Sequence, residues 1–198
     1  LANHTLGSLG AENAPSFGIP SCVRPYLMCT SYDTQQATTR LFKSWKPGHR
    51  DLLARDVARC SSAAPTYFPP KSLYVPQLSP GDPPPDATLI DGGVFANNPA
   101  MCAWSEAKKL WPEDRIVVLS VGSGELVQRL TGASTKIWTK FQWLAPTLSA
   151  MFDGQSDAVH YQLSQLYAAQ SIGLDDTTQD YLRLQTDLNH AQNDKLDN

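Results

Sequence analysis

Ile116-Val117-Val118-Leu119-Ser120-Val121 is apolar at five of its six positions and does not alternate with polar residues. A strand with one face in water alternates, whereas a continuous β-branched run reads as a strand buried on both faces, as in a parallel sheet. Upstream, Ala87-Thr88-Leu89-Ile90 gives a second strand signal. Between the two, Asn98 and Pro99 stand at the cap and first position of a helix that carries Ala100, Ala103, Trp104, Ala107 and Leu110 on one face. Lys108 and Lys109 suit the C-terminal end of the helix dipole, and Pro112 stops it. Strand, helix, strand in that order predicts a βαβ unit and an α/β fold. A chain of 198 residues, 41% of them apolar, is long enough to build an ordinary core.

The remaining segments are read in the same way. Cys22 to Thr30 is expected as a strand ending before a turn at Ser31-Tyr32-Asp33, and Thr39 to Trp45 as another. Leu53, Val57 and Cys60 fall at helical spacing, with Asp51 near the start. Residues 65–85 hold eight of the fifteen prolines and are expected as a surface loop. Ile137, Phe141, Leu144, Leu148 and Met151 form a helical stripe, bent or broken near Pro146. Val159, Leu163, Leu166 and Tyr167 form another, and Tyr181 to Leu184 a last strand. Residues 1–21 are expected as a connecting segment, with Ser8 in a loop, and residues 187–198 as a polar tail.

Composition removes several classes of function. A net charge of −3 without basic blocks gives no footprint for nucleic acid. Gly92 to Ser105, the longest uncharged stretch of interest, falls short of the roughly 18 apolar residues of a membrane span. Cys22, Cys29, Cys60 and Cys102 are widely spaced, which favours free thiols and a cytoplasmic setting. His4, His49, His160 and His190 are scattered, so no metal site is expected, and no cofactor motif is complete. Between Arg40 and Arg59 six cations face only Asp51 and Asp56. Lys43, Lys46 and Arg50 near Trp45 read either as a solvated face or as a peripheral contact with an anionic lipid surface.

Chemistry concentrates in Leu89-Ile90-Asp91-Gly92-Gly93-Val94-Phe95-Ala96-Asn97-Asn98-Pro99. A carboxylate at the end of a buried strand, followed by two glycines, suits a site at the sheet edge of an α/β protein. The same letters also suit a plain turn, and the residues alone leave both readings open. Gly122-Ser123-Gly124 after the apolar run resembles an anion-cradling turn but lacks the third glycine and the lysine of nucleotide loops.

Three segments together resemble the C-terminal half of a patatin-like phospholipase domain: Cys60-Ser61-Ser62-Ala63-Ala64-Pro65-Thr66-Tyr67-Phe68-Pro69-Pro70, the Leu89 to Pro99 run, and Val118 to Gly124. Fainter similarity runs through Phe42 to Trp45 and Asp153-Gly154-Gln155-Ser156-Asp157. The resemblance implies a three-layer α/β/α domain, related to the α/β-hydrolases, whose C-terminal portion is residues 22–186. It also implies a serine acyl hydrolase that uses a Ser-Asp dyad on phospholipid or other lipid esters, without metal or cofactor. Asp91 takes the role of the dyad's base, and Gly92, Gly93, Asn98, Gly122 and Gly124 support the active-site loop. The family's Gly-x-Ser-x-Gly nucleophile and Gly-rich oxyanion loop are not among these 198 residues; Leu6-Gly7-Ser8-Leu9-Gly10 has leucine for the first glycine. The opening Leu1-Ala2-Asn3-His4 reads as a cut or incomplete start, neither an initiator nor a signal peptide. The expectation is a chain that is inactive alone and has an open strand edge and apolar face; the alternative is a non-catalytic module for lipid or protein binding.

Overall fold

Asp33 closes the first hairpin, and the chain around it follows from that one carboxylate. Its Oδ1 accepts the backbone N–H groups of Gln35 and Gln36, and its Oδ2 accepts Arg40 Nε and Nη2 at 3.1 and 2.8 Å. Both side chains are buried, so the charges are paired within the fold rather than hydrated. Arg40 Nη2 also donates to the Pro84 carbonyl at 2.7 Å, tying the proline-rich stretch to the hairpin. In the computed structural model, which describes residues 4–10, 25–78, 80–124, 139–170 and 180–186, the chain divides into two units, residues 1–96 and 97–198.

The first unit is a four-stranded antiparallel sheet in the order β2-β1-β4-β3. Its strands are β1 (Met28–Asp33), β2 (Thr38–Lys43), β3 (Lys71–Tyr74) and β4 (Asp86–Asp91). Helices α1 (Leu6–Gly10), α2 (Ala54–Ser61) and α3 (Gly93–Ala96) belong to the same unit. Phe42, Ala87 and Leu89 lie on one sheet face, and α2 turns Val57 and Cys60 into the same core. Fully burying such side chains contributes about 1.5–3 kcal/mol each, which makes this layer the unit's main source of stability.

Several expectations change here. Ser31, Tyr32 and Asp33 are strand, and the turn falls at Thr34–Ala37, because Arg40 neutralises an aspartate that otherwise reads as a turn former. The proline-rich stretch contains edge strand β3, which pairs with β4 from Lys71↔Leu89 to Tyr74↔Asp86. Prolines flank it rather than interrupt it. Residues 6–10, and Ser8 with them, form a short helix instead of a loop. Leu6 is buried, and Leu6 N–H and Gly7 N–H donate to the Leu52 and Arg50 carbonyls. In the basic segment Arg40 is buried, Lys46 pairs with Asp82 at 2.6 Å, and Trp45 packs edge-on to Tyr26. The segment therefore presents fewer free charges than its letters suggest.

The second unit comprises α4 (Ala100–Leu110), β5 (Val118–Val121), α5 (Lys140–Gln170) and β6 (Tyr181–Leu184). Strands β5 and β6 pair in parallel, Val118↔Tyr181 to Val121↔Leu184. Leu163 and Tyr167 of α5 and Ala100 of α4 form the core, joined by Val118 and Tyr181 on one face of the strand pair. Helix α5 runs on through Pro146, so of the expected bend or break the break does not occur, although the proline removes one backbone bond and its ring crowds the carbonyl one turn earlier. Mixed helices and strands make the class α/β, but β4 and β5 are not neighbours in one parallel sheet among the described residues. The expected βαβ pairing is replaced by β5 with β6.

On the other face of that pair Leu119, Val121, Leu182 and Leu184 are 62, 70, 47 and 50% exposed. Among the described residues, the strand read from sequence as buried on both faces is packed on one. Cys29, Cys60 and Cys102 are free thiols, and among the described residues no helix is long and apolar enough to cross a membrane.

His49 supplies a pH test. It is buried, its Nδ1 accepts the Lys43 N–H at 3.3 Å, and burial, then the Lys46 charge, lower its pKa to about 4. The unfolded chain binds a proton near pH 6.5 that the folded one refuses until about pH 4. Stability therefore falls as pH drops through that window. Urea titrations of the native chain between pH 7 and 4 are expected to show this loss. His49→Asn, whose amide oxygen can keep the Lys43 contact, is expected to reduce it.

Candidate active site

The last residue of β4 is Asp91, and three backbone contacts fix where it stands. Asp91 N–H donates to the Ala63 carbonyl at 3.0 Å, and Gly92 N–H to the Ser61 carbonyl at 3.4 Å. The wholly buried Ser31 hydroxyl donates to the Ile90 carbonyl at 2.7 Å, with the Cys60 carbonyl at 3.3 Å. The end of β4 is thus stitched to the loop after α2 and to β1, which pairs Ser31 with Asp91 across the sheet.

Gly92 is required by space. A Cβ there would overlap the Thr30 hydroxyl, carbonyl oxygen and carbonyl carbon. Only hydrogen fits against that backbone, so the glycine marks a close approach of chain segments rather than a left-handed turn. Gly93 opens α3, and its N–H donates to Asp91 Oδ1 at 2.7 Å. That bond orients the carboxylate; no bond to Oδ2 is found among the described residues, and the side chain is half-buried. An oriented carboxylate with one free oxygen is suited to accept a proton from a hydroxyl placed beside it.

Asn98, in the second unit, stands one residue before the cap of α4, which is Pro99 rather than the expected Asn98, so the helix opens at Ala100. Asn98 Oδ1 accepts the Ala100 N–H at 3.2 Å, and its Nδ2 donates to the Ser156 carbonyl at 3.4 Å. The Ser120 hydroxyl donates to the same Oδ1 at 3.4 Å. Arg183 closes the circuit, donating from Nη1 to Ser120 Oγ at 3.0 Å and from Nη2 to Ser156 Oγ at 2.7 Å. Asn98, Ser120 and Ser156 are all buried, so this network satisfies groups that are costly to leave unpaired. Gly122 leaves room for the Gln185 side chain, whose Oε1 accepts the N–H of Gly124, itself at φ +110°. Asp91, Gly92 and Gly93 therefore share one neighbourhood in the first unit, while Asn98, Gly122 and Gly124 serve the second.

Sequence reading missed Thr30, Ser31, Ser120, Ser156 and Arg183. Ser120 carried a signal, as the one polar residue in an otherwise apolar run. The thiols are not competing nucleophiles in this region. Burial pushes the Cys60 pKa up to about 12 and raises that of Cys29. Among the described residues no His, Cys, Asp or Glu side chains group in threes as a metal would need.

An α/β chain with a pinned Asp-Gly-Gly turn at a strand end has its counterpart in a known family. The patatin-like phospholipase model matches residues 5–104, just over half of the chain. Patatin-like protein 2 of Arabidopsis thaliana is 28% identical over 180 residues, covering 79% of this chain and 42% of that protein. Patatin-like protein 2 of Oryza sativa subsp. indica is 30% identical, covering 72% of this chain and 39% of that protein. Probable inactive patatin-3-Kuras 1 of Solanum tuberosum is also 30% identical, covering 68% and 38%. The chain belongs to the patatin-like phospholipase family, a family of lipid acyl hydrolases, and spans about two fifths of the length of these relatives.

Two substitutions test the local geometry. Gly92→Ala is expected to cost about 1–3 kcal/mol in urea denaturation, as overpacking against backbone does, whereas Gly154→Ala on α5, where nothing lies within 4 Å of the added carbon, should cost nothing. At pH 8, peptide-resolved alkylation with iodoacetamide is expected to leave Cys60 unmodified while Cys102, which is half-exposed, reacts.

Proposed function

We propose that this chain supplies the acid of a Ser-Asp dyad in a patatin-like lipid acyl hydrolase, with Asp91 as the base. The observation that carries the reading is the Asp91 carboxylate, held at Oδ1 by the Gly93 N–H and standing on a turn that only glycine at position 92 permits. Asp91 Oδ2 takes the proton as a serine hydroxyl attacks the carbonyl of a phospholipid ester, and returns it as the alcohol leaves. An acyl-serine forms and water then hydrolyses it, with Asp91 activating the water. The serine and the donors that stabilise the oxyanion come from outside these 198 residues, since no Gly-x-Ser-x-Gly is present. Gly92 and Gly93 allow close approach to the nucleophile. Asn98, Gly122 and Gly124 keep the neighbouring elements of the second unit in place. Lipid esters are the substrate class by family, met by a protein that touches a membrane only at its periphery and resides in the cytoplasm.

The test uses a chimaera in which this chain replaces the segment it matches in Patatin-like protein 2 of Arabidopsis thaliana. The chimaera is expected to hydrolyse p-nitrophenyl esters and to label with a fluorophosphonate. Asp91→Asn should lower turnover by about 10²–10⁴-fold, the range for loss of a general base, with folding retained by circular dichroism. The 198-residue chain alone is expected to give no turnover. An Asp91→Asn chimaera of unchanged rate would instead favour a non-catalytic interaction module.

A further inference from the structure

Beyond Ala63, whose carbonyl holds the Asp91 N–H, the chain turns back at once: the N–H groups of Tyr67 and Phe68 both donate to the Ala64 carbonyl, at 3.1 and 2.9 Å. Within this turn Thr66 has φ +77°, a left-handed conformation that a β-branched residue adopts only where its surroundings impose it. The constraint does not serve the core. Tyr67 and Phe68 are 61 and 53% exposed, and Pro65, Thr66, Pro69 and Pro70 around them are exposed as well. Arg59 of α2 lies over the Phe68 ring, 5.6 Å from its centroid, and its Nη2 donates to the Pro69 carbonyl at 3.4 Å. Arg55 is exposed one turn earlier on the same side of α2. A rigid turn thus presents two aromatic rings and a cation to solvent, a few residues from the carbonyl that fixes Asp91.

We infer that this turn is the surface by which the protein rests on an anionic phospholipid membrane, with Tyr67 and Phe68 in the headgroup layer and Arg59 on the lipid phosphates. The inference rests on the proposal that Asp91 acts on lipid esters. The ester carbonyls of a phospholipid lie where headgroups meet acyl chains, so a carboxylate that works on them is carried by a surface that enters that layer. Aromatic side chains settle at this depth, the tyrosine with its ring among apolar groups and its hydroxyl in the wet part. A guanidinium beside them meets the negative potential of an anionic leaflet. Its hold on the Phe68 face strengthens as water is withdrawn, which favours the pair in the bilayer surface over the pair in solution. A protein partner seated on the turn would separate the loop that holds Asp91 from the bilayer that holds its substrate. The segment from Lys43 to Arg50 is less suited to the same contact, because Lys46 is paired with Asp82 and Trp45 packs on Tyr26.

Vesicle co-sedimentation of the 198-residue chain and of the chimaera with Patatin-like protein 2 tests this. Phosphatidylcholine vesicles with about one fifth phosphatidylserine are compared with vesicles of phosphatidylcholine alone, and both proteins are expected to bind the anionic vesicles more tightly. Phe68→Ser should weaken the partition at least about tenfold, the lower end of the range for one large apolar side chain withdrawn from water, and Phe68→Trp should retain it. Arg59→Gln should weaken it about fivefold, and on the anionic vesicles only, the effect of one cation at such a surface. Arg50→Gln, which removes an exposed cation of the other segment, should leave it unchanged. Absence of vesicle binding by either protein overturns the inference. So does equal weakening by Arg50→Gln and Arg59→Gln, the mark of diffuse charge attraction, or a Phe68→Ser chimaera that binds as before, since protein then covers the turn. Asp91→Asn in the chimaera, assayed on p-nitrophenyl esters, separates the two readings. Lost turnover with binding that depends on Phe68 supports both; retained turnover with such binding removes only the catalytic assignment; lost turnover with binding indifferent to Phe68 removes only this surface.

Discussion

The approach of Gly92 to the Thr30 backbone is the constraint on which the Asp91 region depends. Two chain segments distant in sequence meet there without a side chain between them. The contact is possible because Ser31, the next residue on β1, sends its hydroxyl to the Ile90 carbonyl and so holds β1 against the end of β4. The loop after α2 then closes over the same place through the Ser61 and Ala63 carbonyls. An aspartate on an ordinary surface turn would sample many rotamers and lose entropy on entering a reactive geometry. Here the backbone is fixed before any ligand arrives, and one carboxylate oxygen is already bonded to the Gly93 N–H.

A different device organises the second unit. Asn98 Oδ1 accepts both the first N–H of α4 and the Ser120 hydroxyl on β5, its Nδ2 donates to Ser156 on α5, and Arg183 on β6 joins the two hydroxyls. Four elements are thereby held by side-chain hydrogen bonds to one another. Each bond contributes modestly, but removing a member leaves buried donors or acceptors without partners. The network also gives register to a parallel pair only four residues long, because Ser120 and Arg183 are directly opposed.

Sequence patterns located β4, α4, β5 and β6, although the apolar runs of β5 and β6 leave Leu119, Val121, Leu182 and Leu184 exposed. They failed where a distant partner decides the local outcome. Ser31-Tyr32-Asp33 has turn-like composition, and nothing nearby in sequence announces that Arg40 will neutralise Asp33 or that Ser31 will bridge to Ile90. Edge strand β3 was hidden among prolines because its four residues need hydrogen bonds on one side only. Asp91 and Gly92 were legible as a carboxylate and a small residue at a strand end. The reason for the glycine was not, because Thr30 lies some sixty residues upstream.

The β5 run shows how a sequence pattern can exceed the structure that contains it. Alternation along a strand records how many faces are covered, and Ile116 to Val121 does not alternate, so its composition belongs to a strand enclosed on both sides. The packed side is explained by α4 and α5. For the other side, the aliphatic side chains of Leu119 and Val121, matched by Leu182 and Leu184 on a strand sixty residues later, are hard to explain as a surface. Water-facing positions on two separate strands would each have to be apolar by accident and then fall opposite each other in register. Covering such rows would remove apolar surface from water at about 25 cal/mol for each Å².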